Sequence, residues 1–243
     1  MAIQIAPNDP ALHASVDAKT EEVRKLLRRI VENYAPAALA SSFSAEDMLL
    51  TDIVLTENIP VEIFSLDTGR LPQETYDLIA RTRAHYGAEG QKIRLYFPRH
   101  ELLEPYTLKH GINAFYESAE LRKSCCFIRK IEPLRRALSG KKAWITGLRA
   151  EQSTERQLLR IEAYDEDNGL WKFNPLLDWT GKEIWGYIKD KNIPYNALHD
   201  RFYPSIGCAP CTRSVTVGED PRSGRWWWER TESRECGLHV KNA

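Results

Sequence analysis

Ala37-Ala38-Leu39-Ala40-Ser41-Ser42-Phe43-Ser44-Ala45-Glu46-Asp47-Met48-Leu49-Leu50 is the stretch on which the fold turns. Ala37 to Phe43 reads as a buried strand, running into Ser44-Ala45-Glu46-Asp47 and then a helix from about Ala45 to Glu57. The same passage from apolar strand through polar turn to helix recurs downstream. Val61 to Leu66 is a second strand ending at Asp67-Thr68-Gly69, followed by an amphipathic helix from Leu71 to Tyr86 and a third strand from Ile93 to Phe97. Short helices around His100 to Lys109 and Ser124 to Leu138 lead to a strand at Ala143 to Gly147. Upstream, Val23, Leu26, Leu27, Ile30, Val31 and Tyr34 recur at helical spacing until Pro36. Alternating strands and helices predict an α/β fold: a doubly wound, mainly parallel sheet with right-handed crossovers and helices on both faces.

Beyond Gly147 the pattern changes. Leu159 to Tyr164 and Leu170 to Phe173 flank Asp167-Asn168-Gly169, a hairpin turn. Thr180 and Glu183 form a capping box that opens a helix to Lys191. After Cys211 the chain is polar and rich in Arg, Gly and Glu around Trp226-Trp227-Trp228, which are read as anchoring a tail. The expected organisation is one domain over residues 1–211 and a C-terminal tail over 212–243 docked on it.

Composition narrows the function classes. The 243 residues are 42% hydrophobic and 28% charged, as in ordinary globular proteins. Lys plus Arg and Asp plus Glu both equal 34, so bulk charge makes no case for nucleic acid or membrane; local clusters must carry any anion binding. Met1 to Pro10 lacks a basic start followed by an apolar run, and the longest apolar stretches, such as Met48 to Leu55, are too short to span a bilayer. A cytoplasmic location is expected.

Five cysteines fall as Cys125-Cys126, Cys208-x-x-Cys211 and Cys236. Four plus one is the arithmetic of a metal site and a separate reactive thiol. Cys208 and Cys211 alone would suit zinc. Adjacent cysteines do not easily turn both sulfurs onto one ion, whereas a cubane offers each its own iron; a strained vicinal disulfide is the other reading. Cys236 sits in a polar segment, which suits an exposed nucleophile better than a structural cysteine.

Three strand-end segments suit an anionic ligand. Ser41 to Asp47 places small hydroxyls and helix-start amides together, although serines there also simply cap helices. Asp67 and Thr68 ordinarily shape a turn. Gly147-Leu148-Arg149, with Arg156 and Arg160 after it, supplies guanidinium groups that suit bidentate binding of phosphate or sulfate.

The serine-rich turn, Leu66-Asp67-Thr68-Gly69-Arg70 and Gly147-Leu148-Arg149 together resemble the adenine-nucleotide α-hydrolase fold of the sulfonucleotide reductases. The four paired cysteines with Glu235-Cys236-Gly237-Leu238-His239 resemble the bacterial adenylyl-sulfate reductase branch, and the likeness runs from about residue 38 to 240. The resemblance implies one [4Fe–4S] cluster per chain on Cys125, Cys126, Cys208 and Cys211. It implies adenylyl sulfate bound by Ser41, Ser42, Phe43, Ser44, Leu66, Asp67, Thr68, Lys130, Gly147, Arg149, Arg156, Arg222, Arg225 and His239. Lys130 matches the lysine that the family places between cluster and substrate, while Arg135 and Arg136 read as a solvated helix face. Cys236 would attack the substrate sulfur, forming Cys–S–SO₃⁻ and releasing AMP, after which a second thiol, from thioredoxin or a similar dithiol donor, expels sulfite. Ser44 departs from the glycine expected in many relatives, and a positive φ there would strain it. Glu46 and Asp47 are expected to repel an additional phosphate. The close alternative is a 3′-phosphoadenylyl-sulfate reductase, which typically lacks the four paired cysteines. An ATP-pyrophosphatase-type tRNA thiolation enzyme would use a Ser-Gly-Gly-x-Asp-Ser loop that this chain does not have, and a non-enzymatic metal-binding module leaves Cys236 without a purpose. Whether the chain forms a homo-oligomer is left open.

Overall fold

A computed structural model describes residues 9–229. The sheet has six strands: β1 (Ala37–Ala40), β2 (Glu62–Leu66), β3 (Arg94–Tyr96), β4 (Ala143–Ile145), β5 (Glu162–Asp165) and β6 (Leu170–Phe173), in the order β3-β2-β1-β4-β6-β5. Every pairing is parallel except that of β5 with β6, the expected hairpin. The helices are α1 (Pro10–Tyr34), α2 (Ala45–Thr56), α3 (Gln73–His85), the short α4 (Gly87–Gln91), α5 (His100–His110), α6 (Ala119–Cys126), α7 (Glu132–Leu138) and α8 (Gly181–Asp190). β1 is shorter than its apolar pattern suggests, because the chain leaves the sheet at Ser41 to form the turn. The helix expected from Ser124 begins earlier, at Ala119, and passes through a π turn at Phe127–Ile131 before α7.

Residues alternate between the two faces of each strand, and both faces are covered. Leu39, Ile63, Ile145 and Phe173 pack with Leu27, Ile30, Met48, Leu50, Ile53, Ile184 and Ile188 of α1, α2 and α8. Ala38, Phe64, Trp144 and Leu170 face Leu134, Ala137 and Leu138 of α7. α2 is enclosed from Ala45 to Val54, so its carboxylates Glu46, Asp47 and Asp52 have to find partners inside the protein. The buried Asp52 within it accepts from the Tyr86 hydroxyl at 2.8 Å and the Tyr187 hydroxyl at 2.9 Å, which meets its polar needs inside the core.

The Thr180–Glu183 capping box forms as expected and is tied to α1. Glu183 accepts from Thr180 N at 2.7 Å, Ser15 Oγ at 2.6 Å and Lys19 Nζ at 3.0 Å. Burial opposes its charge, but these donors prevail and hold its pKa down at about 2. A carboxylate depressed on folding contributes stability above its ordinary pKa of 4.5, and this contribution is lost as pH falls toward 2. Glu183→Gln is therefore expected to cost about 2 kcal/mol at neutral pH, with the gap to the wild type closing between pH 4.5 and 2 in chemical denaturation. A gap independent of pH over that range would refute the assignment.

Strand order reverses between β1 and β4: from β1 the chain moves outward to β2 and β3, then returns to place β4 on the opposite side. In open α/β sheets that switch point opens a crevice beyond the carboxyl ends of the strands. Among the described residues, no helix is long and apolar enough to cross a membrane.

Candidate active site

A cleft of about 1030 Å³ lies at this switch point. Its walls include Ser41, Ser42, Ser44, Leu66, Thr68, Lys130, Gly147, Arg149, Arg156, Arg222 and Arg225, so the structure brings together most of the residues singled out from sequence. Phe43 and Asp67 do not line it. Phe43 is in the core, and Asp67 holds its own turn by accepting from Gly69 N at 2.8 Å and Tyr76 Oη at 2.9 Å. Cys236 and His239 lie outside the described residues.

The serine turn is built differently from the expectation. Ser44 has φ −67° and is the N-cap of α2, its Oγ accepting from Asp47 N at 3.3 Å, so serine is a favoured residue there. The positive φ falls on Phe43, at 60°. Asp47 reaches back into the turn, accepting from Ser42 N at 2.7 Å and Ser42 Oγ at 2.6 Å. Burial pushes its carboxyl up, against those bonds. Burial also opposes charge on Glu46, yet the Arg149 guanidinium, with Nε 2.8 Å from Glu46 Oε1, holds that carboxyl below the usual range. One carboxylate is thus matched by a cation and the other is folded inward, so the expected repulsion of an added phosphate loses its basis.

Gly147, two residues beyond the end of β4, is needed for this closure. A Cβ there would meet Asp47 Oδ1 at 2.4 Å and Glu46 Cβ at 3.0 Å. Only glycine lets the β4 end approach the start of α2 so closely. Gly207 serves Arg225 in the same way, since a Cβ would meet its Nη2 at 2.3 Å. Arg225 stacks on the Trp226 ring at 4.9 Å, and Arg222 is buried beside the cleft.

The four paired cysteines border a common cavity. Cys125, Cys126, Cys208 and Cys211 line one small cavity together with Arg70, Phe115, Arg122, Arg129, Lys130 and Pro210. Cys125 and Cys126 end α6, directly before the π turn, and Cys208 caps the 3₁₀ turn Ala209–Cys211, which is joined to the loop after β2 by Ala209 N donating to Arg70 O at 2.8 Å. The Cys208 thiol donates to Thr68 Oγ1 at 3.2 Å, and Arg129 Nη1 donates to Thr68 O at 2.6 Å. Burial and the neighbouring Cys208 push the Cys211 thiol up to about 12, while burial raises Cys125 against the pull of Arg129. Lys130 lines both this cavity and the large cleft.

The segment after Cys211 is part of the same core. Thr212 bridges to Arg225, and Trp226 packs in one cluster with Cys125, Cys208 and Cys211 under the Arg122 guanidinium, 4.5 Å from its ring. Trp228 lies 4.4 Å from Tyr116. These contacts agree with the anchoring role read for the tryptophans. Sequence reasoning missed Thr146, Gln152, Trp185 and His199 in the cleft wall, and their types carried no local signal.

A family model for the phosphoadenosine phosphosulfate reductase domain matches residues 36–214. The chain belongs to that family. Within this reductase family it is 51% identical over 230 residues to the adenosine 5′-phosphosulfate reductase of Burkholderia cepacia, covering 95% of this chain and 91% of that one. The crystal structure of phosphoadenylyl-sulfate reductase from Candida auris, a phosphate complex, superposes with a TM-score of 0.67 at 27% identity, over 87% of this chain and 99% of that one. Candida glabrata FMN adenylyltransferase in complex with ATP superposes at 0.60 and 15% identity, over 90% of this chain and 72% of that one, which shows the shared fold alone. The reductase domain so matched contains both cysteine pairs, while Arg222 and Arg225 lie beyond it.

Proposed function

We propose that this chain reduces adenosine 5′-phosphosulfate to sulfite and AMP in sulfate assimilation, drawing electrons from a separate dithiol protein of the thioredoxin type. The observation that carries the reading is the position of Lys130 between a four-cysteine cavity and a nucleotide-sized cleft, in a chain half identical to an adenosine 5′-phosphosulfate reductase.

The donor set fits a [4Fe–4S] cluster. Four cysteines from two segments line one cavity, and Arg70, Arg122, Arg129 and Lys130 around it would offset thiolate charge. When bound, the cluster supplies a fixed electrostatic field near the cleft. The remaining work falls to the chain's own groups. The Ser41 and Ser44 hydroxyls, which only accept within the turn, and the first turn of α2 offer donors to oxyanions, while both donors of Ser42 are held by Asp47. Arg156, Arg222, Arg225 and Lys130 neutralise the phosphosulfate, which makes AMP a better leaving group. The Cys236 thiolate attacks sulfur, the S–O bond to AMP breaks, and Cys236–S–SO₃⁻ remains. One thiolate of the dithiol donor then attacks the Cys236 sulfur and sulfite departs with the electron pair. The donor's second thiol closes a disulfide and frees Cys236.

Residues 9–211 carry the cysteine cavity and most of the cleft lining, and Arg222 and Arg225 join that lining from the segment after Cys211. The test is turnover with adenosine 5′-phosphosulfate against its 3′-phosphorylated analogue, using thioredoxin as donor. The unphosphorylated substrate is expected to be at least about tenfold better in kcat/KM, or about 1.4 kcal/mol in transition-state binding. Equal use of both would overturn the assignment to this branch.

A further inference from the structure

His199 stands on the short 3₁₀ turn Ala197–Arg201 and lines the large cleft. Its Nε2 is buried and, among the described residues, has no hydrogen-bond partner. The turn that carries it is firmly held. Asn196 Oδ1 accepts from Leu198 N at 3.0 Å, Asn196 Nδ2 donates to Thr75 Oγ1 at 3.0 Å, and Tyr203 N donates to Leu198 O at 3.1 Å. The Trp185 ring meets the imidazole edge-on, 5.2 Å between centroids and 82° between planes. An imidazole packed against Trp185 on a firmly held turn, with its Nε2 unserved and its residue part of the wall of a ligand-sized cleft, is poised for a ligand group.

The tautomer follows from the other ring nitrogen. The Tyr203 backbone beside the imidazole favours a proton on the ring, which is the influence of a carbonyl. Since Nε2 is unpartnered, the donor is Nδ1. Burial disfavours the imidazolium and outweighs the pull of Glu46 and Asp200 toward it. A neutral imidazole carries one N–H, here at Nδ1, so Nε2 presents a lone pair. A lone pair needs a donor. Phosphate and sulfate oxygens have none to give at neutral pH. A nucleoside has two kinds: ribose hydroxyls and the exocyclic amine of the base.

Resting on the reading that an adenylyl nucleotide fills the cleft, we infer that His199 is a nucleoside-recognition residue whose Nε2 accepts a hydrogen bond from a ribose hydroxyl or the base amine. The arginines and Lys130 serve the anionic half of the ligand, and His199 serves the uncharged half.

The experiment is calorimetric titration of the anaerobically purified, cluster-loaded protein with AMP, 2′-deoxy-AMP, 3′-deoxy-AMP and purine riboside monophosphate. In wild-type protein one analogue, lacking the donor that meets Nε2, is expected to bind roughly 3- to 10-fold more weakly than AMP. His199→Phe keeps a flat ring without the acceptor; it should weaken AMP by a similar factor and bind that one analogue as well as AMP. A merely structural histidine would weaken all four ligands alike and leave the discrimination intact, which would overturn the inference. Unchanged AMP affinity in His199→Phe would also overturn it. If the phenylalanine variant does not yield folded, cluster-loaded protein, His199→Leu serves the same comparison. Failure of AMP to bind the wild type would instead overturn the nucleotide reading of the cleft, and this assignment with it.

Discussion

Cys236→Ser is expected to lower sulfite formation by on the order of 10³-fold or more while leaving AMP binding and iron content unchanged. Cys236 is the cysteine left over once the four that share a cavity are set aside. A serine hydroxyl is scarcely ionised at neutral pH and is a far weaker nucleophile than a thiolate, so the bond to sulfur does not form. Wild-type protein given substrate but no dithiol should release one AMP per chain and stop, with a sulfonate adduct on the peptide that contains Cys236. Mass spectrometry after this single turnover distinguishes the outcomes. An adduct on Cys208 or Cys211, or full activity in the serine variant, would refute the proposed route.

Cys208→Ser is expected to abolish iron binding as well as turnover. Wild-type protein purified without oxygen should be brown and hold about four irons and four sulfides per chain. The serine variant should be colourless, with iron near zero. Cys208 is buried against Thr68 and shares its cavity with the other three cysteines, so its loss removes one corner of the donor set. The fold itself should survive in this variant, because the sheet core over α1, α2 and α8 is separate from the cluster of Cys125, Cys208, Cys211 and Trp226. Elemental analysis reads the result directly. Stoichiometric zinc without iron in the wild type, or full iron content in the variant, would refute the assignment.

Much of this was legible in the sequence because it depends on local pattern. The strand-to-helix alternation, the Asp167-Asn168-Gly169 hairpin and the Thr180–Glu183 capping box are written in neighbouring residues, and each appears where its pattern places it. The cysteine spacing likewise pointed to one metal site before any geometry, and the four residues line one cavity. Features set by distant segments were not legible. The inward turn of Asp47, the pairing of Glu46 with Arg149 and the close approach at Gly147 depend on where β4 lies beside α2. The shift of positive φ from Ser44 to Phe43 follows from Ser44 serving as a helix cap, which only backbone geometry distinguishes from a strained turn. His199 offered no motif. Its unserved nitrogen emerges only once Trp185, Tyr203 and the cleft wall surround it.

The reversal of strand order also bears on how the chain reaches its native state. β1 pairs with β2 across a short stretch of chain, Ala38 opposite Glu62, but with β4 across more than a hundred residues, Ala37 opposite Ala143. Closing so long a loop costs entropy before any contact repays it, and pairings distant along the chain form slowly. The β1–β2–β3 half is therefore favoured to assemble first, and the cleft comes into being when β4 docks and Gly147 settles against Asp47. Placing the site at the switch point makes its assembly report completion of the sheet: an intermediate lacking the β1–β4 pairing has the serine turn but not the wall that faces it.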